Sequence, residues 1–496
     1  MSAAGKSQPR IHRFISAGIA VPSLALIAAF FTLAKLAVAE PACPFNEMNP
    51  EQCARMCAAN FLRPAHRVPF RPSGTTVAAQ MKNMARTKVM NMDMSLPAAA
   101  QLLMQEVSGT SVNPASAPMP MRMFSRSGWR FNVMGDAFVT DTQQSGPRGG
   151  DKFYSANVFM TSAEHSIGRG AFLIEGMFSL EPATITDRRY PLLFQTGETA
   201  YGVPIEDGQH PHNFFMGLGV HYARPLGKNT IFEAYFAPVG DPALGPVAFP
   251  HRASAEEIPQ APIGHHWEDS THIAYEVATV GIEHKFLRFE ASGFHGAEPG
   301  ENRWIISTGA MDSWSTRLSI IPTANWVAQV SVGRLTHPEA LEAGDVVRTT
   351  ASVEYSRPMG TASWSTSFVF GRNHKTATGG GTNAFLLETV VPFRKSNFFT
   401  GRWELVDKDE LFAAQPAIEQ QLLSSTGTDT FRVDAYTAGY TRYFSLFSPI
   451  ETGVGANFSA YTFPSAIVPF YGAHPFGVNF YLHLQLKSSK QPGMGE

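Results

Sequence analysis

The sequence predicts an all-β fold, a transmembrane antiparallel β-barrel of about sixteen strands preceded by an irregular N-terminal arm. Three observations predict it. The chain nears its end on "FGVNFYLHLQLK" (476–487), where Phe476, Val478, Phe480, Leu482, Leu484 and Leu486 alternate with Gly477, Asn479, Tyr481, His483, Gln485 and Lys487. Successive side chains of a strand point to opposite faces, so this is one two-sided strand. It exceeds the 5–6 residues or so of a soluble sandwich strand and suits the roughly 9–11 of a tilted membrane-spanning one. No run after residue 40 approaches the roughly 18 uncharged apolar residues of a spanning helix. Short turns such as "IGRG", "PLGK", "IPTA" and "RPMG" alternate with long connections such as 182–210 and 240–270, the asymmetry of barrels with short periplasmic turns and long extracellular loops.

Residues 1–39 read as a secretory signal peptide. Lys6, Arg10, His12 and Arg13 precede "FISAGIAVPSLALIAAFFTL", and Ala37-Val38-Ala39 is a small-residue cleavage signal. The length of that apolar stretch leaves an uncleaved anchor as the alternative. Residues 40–125 are expected to be a periplasmic arm or plug containing methionine and cysteine. They lack strand alternation, are broken by "RPAHRVPFRPSG" and "NPASAPMP", and suit short helices near 50–60 and 97–107. Cys43, Cys53 and Cys57 predict one disulfide and one spare thiol in an oxidising compartment.

The barrel is expected over 126–487, followed by a tail at 488–496. Candidate strands run over 128–140, 152–164, 169–181, 211–224, 228–239, 271–284, 286–297 and 312–322. The second half runs over 324–335, 346–358, 361–373, 381–393, 396–408, 429–444, 448–461 and 473–487. Leu287, Phe289 and Ala291 alternate with Arg288, Glu290 and Ser292, and Phe399, Gly401 and Trp403 with Thr400, Arg402 and Glu404. Charge confined to one face is what a polar lumen requires. Arg288, Glu290, Arg402, Glu404, Arg432 and Asp434 are the expected lumen charges, and the last strand is expected to pair with the first.

These readings place the chain in the outer membrane of a Gram-negative bacterium, with outer-membrane lipids, small solutes or metal ions, and further copies of itself as expected partners. Only 16% of its 496 residues are charged and the net charge is -2, which excludes a nucleic-acid partner. The expected function is a porin-like channel for small polar solutes or ions. No G-x-S-x-G, G-K-[ST] or H-E-x-x-H motif is present, so no enzyme is expected. Asp269-Ser270-Thr271-His272 is the nearest thing to a hydrolase grouping, and a loop cap is the stronger reading of it.

Two long loops carry histidine: His210 and His212 in "QHPHNF", then His251, His265, His266 and His272 in "GDPALGPVAFPHRASAEEIPQAPIGHHWEDSTHIAYE". Neutral imidazole suits Cu, Zn and Ni, so a metal site is one reading. Histidine hydrogen bonds that tie loops over a barrel mouth are the other. Glu268 and Asp269 are candidate anchors for the rings. With "DSWSTRLS" and "VRTTAS", these stretches resemble a family of largely uncharacterised bacterial outer-membrane β-barrel proteins, over most of 125–360. The resemblance implies a barrel and no established substrate.

Methionine concentrates before the barrel. Met90, Met92 and Met94 form "MNMDM", and Met119, Met121 and Met123 form "MPMRM". Thioethers are soft ligands suited to Cu(I), which makes copper the expected metal; packing inside the barrel is the competing reading. A Met-rich arm before a barrel is similar to the plan of copper-resistance outer-membrane proteins.

Overall fold

The computed structural model describes residues 96–117, 119–340, 343–446 and 449–488. The signal sequence, Cys43, Cys53, Cys57, Met90, Met92, Met94 and all but the first residue of the tail lie outside the described residues. After helix α1 (Ala98–Leu103) come the short strands β1 (Glu106–Ser108) and β2 (Ser111–Val112). The wall begins with β3 (Arg122–Arg126), β4 (Trp129–Gln144), β5 (Gly150–Ile167) and β6 (Gly170–Phe178). Helix α2 (Glu181–Thr184) and a hairpin, β7 (Tyr190–Ala200) and β8 (Val203–Gln209), interrupt it. The wall resumes with β9 (Phe215–Pro225), β10 (Thr230–Gly240), β11 (Ala274–His284), β12 (Leu287–His295) and β13 (Ser313–Thr323). Next come β14 (Trp326–Leu335), β15 (Val346–Met359), β16 (Ala362–Lys375), β17 (Gly381–Phe393) and β18 (Asn397–Lys408). It ends with β19 (Phe431–Phe444), β20 (Ile450–Thr462) and β21 (Phe476–Leu486). Three further helices, α3 (His265–Glu268), α4 (Pro416–Thr426) and α5 (Val468–Tyr471), lie in loops.

Strands β4, β5, β6 and β9 to β21 close an antiparallel barrel of sixteen, with β3 as an extra piece. The last strand seals the first, from Gly477 opposite Gln144 to Gln485 opposite Asp136. Because β21 covers only the far part of β4, the Trp129–Val133 edge would face lipid unpaired. Strand β3 occupies it, Arg122 opposite Val133 and Arg126 opposite Trp129. Lipid offers no water to satisfy such an edge, so closure must be complete. The arm therefore gives way to the wall at Arg122, a few residues before the expected boundary.

The period-two pattern sorts as expected. On β12, Leu287 and Phe289 are exposed while Arg288 and Glu290 are buried; on β21, Phe480 is exposed and Asn479, Tyr481 and His483 are buried. Exposed Trp326, Phe393, Phe399 and Phe444 near the short turns form part of an interfacial belt. An apolar outside on a closed sheet makes this an outer-membrane barrel.

Arg432 and Asp434 depart from expectation. On β19 the inward residues are Phe431, Val433 and Ala435, and Arg432 pairs outside with Asp407 at 2.8 Å. The lumen wall there meets an apolar cluster of Leu411, Phe412, Leu422 and Phe194, so the apolar face turns inward. Strand β9 starts at Phe215 rather than 211 because Pro211 cannot donate to a ladder and the His212 N–H donates to Glu181 at 2.7 Å.

The lumen is filled by the chain itself. From Asp241 to His272 only Pro250, Ala253 and Glu256 are not buried. This loop crosses the interior and is held from all sides. The Ala243 N–H donates to Ser292, the Gly245 N–H to Ser331, and the Gly264 N–H to Glu404, while Arg402, Lys408 and Asn373 donate to its carbonyls. The segment 96–117, expected as part of an arm or plug, lies inside as well. Helix α1 packs Ala99, Ala100, Leu102 and Leu103 on Ala171, Leu173, Ala223 and Ile231. Beyond it Ser108 donates to Asp241, and the loop and the arm meet at Asn113, which donates to the His251 carbonyl at 2.8 Å.

Candidate functional site: a buried histidine cluster under the extracellular hairpin

Two local geometries deliver the imidazoles. In the extended run from His210 to His212, residues i and i+2 share a side. In α3 and the 3₁₀ turn Ser270–His272, His265 and Asp269 stand one helical turn apart. The result brings five of the six expected histidines together. Ring centroids lie 5.7 Å apart for His210 and His266, 5.3 Å for His265 and His266, 5.3 Å for His265 and His272, and 5.3 Å for His212 and His272. One ring nitrogen each of His210, His265 and His266 lies within 4.8 Å of the other two.

Each ring is oriented through Nδ1. His265 Nδ1–H donates to Asp269 Oδ1 at 2.5 Å, His272 to the Asp269 carbonyl at 2.9 Å, and His212 to Glu181 Oε1 at 2.9 Å. His266 Nδ1 faces Glu339 at 3.3 Å and Glu298 at 3.5 Å. Outward nitrogens are left over. The buried Nε2 atoms of His210, His212, His266 and His272 have no hydrogen-bond partner among the described residues; His210 Nε2 lies 3.3 Å from Glu198 Oε1 without hydrogen-bond geometry. A ring held at Nδ1 by a carboxylate with Nε2 free is the arrangement that metal-ligating histidines adopt.

Burial holds His210 and His272 well below the usual imidazole range and His265 down to about 4, keeping these rings neutral. His266 goes the other way, to about 10, because Glu298 and Glu339 outweigh its burial.

The hairpin covers the cluster. Gly197, at φ +113°, leaves room for the His266 ring, since a Cβ there would lie 2.5 Å from His266 Cε1. Glu198, at φ +59°, pairs with Arg303, and Arg303 donates to Asn213 at 3.1 Å. Left-handed non-glycine residues are costly and persist where the surroundings over-determine them. On the wall side, Gly371 lets the Trp267 carbonyl approach, a Cβ there meeting it at 2.3 Å.

His251 lies outside the ring contacts of the cluster, its Nε2 3.2 Å from Met177 Sδ. There it lines a cavity of about 80 Å³ with His212, Met119, Met134 and Met216. Met121, Met160 and Met177 pack in the same cluster. Met123 lies apart, exposed on β3. Of the expected anchors, Asp269 orients two rings, whereas both Glu268 oxygens are buried with no hydrogen-bond partner among the described residues. Glu181, Glu298 and Glu339 are anchors that sequence reading misses, for they come from other loops with no distinguishing motif. Ser270 donates to Glu298 at 3.1 Å and accepts from Arg348 at 2.8 Å, so it is engaged away from His272.

No family model matches the sequence, and no curated protein matches it. Solved structures similar to the barrel include Salmonella typhi OmpF in complex with daunomycin, at 10% identity and TM-score 0.46, covering 73% of this chain and 100% of that one. An anion-selective porin from Comamonas acidovorans matches at 11% and 0.45, covering 72% and 100%. Pseudomonas putida OprB matches at 9% and 0.44, covering 72% and 94%. At such scores the likenesses carry no argument; the fold rests on the closure of the barrel.

Proposed function

We propose that the protein is a porin-like conduit for small polar solutes or ions whose passage is closed, in this state, by its own inward loop. One observation carries the reading: a sixteen-strand wall with a charged interior is filled by a segment held through reversible hydrogen bonds and ion pairs. A barrel of this size can hold an aqueous lumen. Ser254 on the loop and Ser367 on β16 lie 2.7 Å apart, oxygen to oxygen, close enough for a disulfide to replace them. In a background with Cys43, Cys53 and Cys57 changed to Ser, the Ser254→Cys/Ser367→Cys barrel is expected to be silent in planar bilayers when oxidised and to conduct in steps after reduction. Equal conductance before and after reduction in a cross-linked barrel would overturn the gate.

Copper cargo is the second reading, favoured by the inward gathering of Met119, Met121, Met134, Met160, Met177 and Met216. Replacing Met134, Met177 and Met216 by Leu preserves bulk and removes sulfur. Unchanged Cu(I) binding by that variant would argue against it.

A further inference from the structure

We infer that His210, His265 and His266 form a binding site for one first-row divalent transition-metal ion, joining the extracellular hairpin to the inward loop. Three separate features of the cluster converge on it. Their ligand atoms already lie within 4.8 Å of one another. A tetrahedral site with metal–nitrogen bonds of about 2.0–2.1 Å places its nitrogens roughly 3.4 Å apart, so loading asks for a contraction of about 1.5 Å at most, within reach of ring rotation. All three rings are buried, and the Nε2 atoms of His210 and His266 have no hydrogen-bond partner among the described residues. Buried polar groups are normally satisfied, so such orphans point to an absent ligand. Asp269 behind His265, and Glu298 and Glu339 behind His266, would hold Nδ1–H while Nε2 coordinates. Glu198 Oε1, 3.3 Å from His210 Nε2, offers a fourth donor.

Imidazole and carboxylate select Co, Ni, Cu or Zn over hard cations such as Mg or Ca and over soft Cu(I). The site therefore differs in chemistry from the methionine cavity. A second grouping, His221 between Glu106 and Glu233, is already neutralised by Arg288, which pairs with both carboxylates. An added cation there would meet a guanidinium. At the histidine cluster Arg303 pairs with Glu198 and Arg252 with Asp269, each with a carboxylate beside the rings, while the Nε2 atoms of His210 and His266 stay without a hydrogen-bond partner among the described residues.

Co(II) is the probe, because thioethers bind it poorly and its visible spectrum reports geometry. The full chain with Cys43, Cys53 and Cys57 changed to Ser, purified as a folded barrel, is equilibrated with Co(II). One equivalent should bind with a tetrahedral visible band and be displaced by Zn(II). His210→Gln and His266→Gln should each weaken binding at least tenfold, while His251→Gln leaves it unchanged. No binding to the folded barrel, or binding indifferent to His210 and His266, would overturn the site. Should either variant fail to show the heat-modifiable migration of a folded barrel, X-ray absorption of the Co(II)-loaded parent decides: three imidazole ligands support the site and one or none overturns it. Metal binding is read here without conductance, so a silent barrel leaves the site standing.

Discussion

The wall and the plug are built on different physics. In the wall the strands repeat one rule, apolar to lipid and polar to lumen, broken where β19 meets the apolar loop cluster, and apart from the β21–β4 seam each pairs with the next wall strand in sequence. The loop 241–273 and the segment 96–117 have no repeat. They are held by particular partners far away in the chain: Arg252 to Glu388 at 2.6 Å, and Arg317 to the Gly245 carbonyl at 3.2 Å and to Thr110 at 2.9 Å. A wall tolerates any residue of the right polarity, whereas a plug of buried ion pairs depends on individual side chains.

The largest test of that contrast is Arg252→Ala. It leaves buried Glu388 with Arg402 alone and Asp269 with His265 alone as ion-pair partners, and removing one partner of a buried pair costs about 3–5 kcal/mol. Limited proteolysis should cut the loop while the barrel keeps its heat-modifiable migration on a gel. Loss of the barrel together with the loop would mean that wall and plug stand or fall as one unit.

Phe480→Arg probes the wall instead. It places a charge on the lipid face of the sealing strand, where about 2–4 kcal/mol is expected near the bilayer midplane. Denaturant titration in lipid should show a lower unfolding midpoint, and Phe480→Leu should show little change. If both behave alike, this face does not meet lipid.

Acid should loosen the plug before the wall. His251, buried against Met177, has its pKa held down to about 4 by desolvation and by neighbouring His212. Its unfolded value is about 6.5. Between those values the unfolded ring binds the proton and the folded ring does not, so the loop's stability falls as pH drops from about 6.5 to about 4. Loop proteolysis should rise through that window by the equivalent of about 1–3 kcal/mol. His251→Gln should flatten the rise; a profile unchanged by that substitution would assign the acid response to other groups.

The smallest effect belongs to Arg432→Ala. Its exposed pair with Asp407 should contribute less than about 1 kcal/mol, with no change in single-channel selectivity because Arg432 faces outside. Altered ion selectivity would put it back in the lumen, where the alternation alone would have it.

The same contrast explains which features the sequence makes legible. Strand number, the alternation of turns and the pairing of the last strand with the first follow from local signals: period-two polarity and turn residues. Even the misreading of Arg432 and Asp434 is instructive, because the rule assumes a polar lumen and Phe431, Val433 and Ala435 meet an apolar loop cluster instead. The histidines were visible as residues, and the i, i+4 spacing of His265 and Asp269 was legible. Their convergence was not, because it requires the hairpin to fold over α3 and places Glu181, Glu298 and Glu339 from three separate loops behind the rings.

By itself, then, the chain's amino-acid order determined a closed barrel in an outer membrane, because a bilayer leaves strands no other way to satisfy their backbones. Only the tertiary structure decided that the lumen is filled, that His251 stands apart from the other five, and that methionines from β4, β5, β6 and β9 gather beside those of the arm. The contacts that hold the filling in place join residues a hundred or more positions apart through single hydrogen bonds and ion pairs, and no periodicity encodes a partner that occurs once.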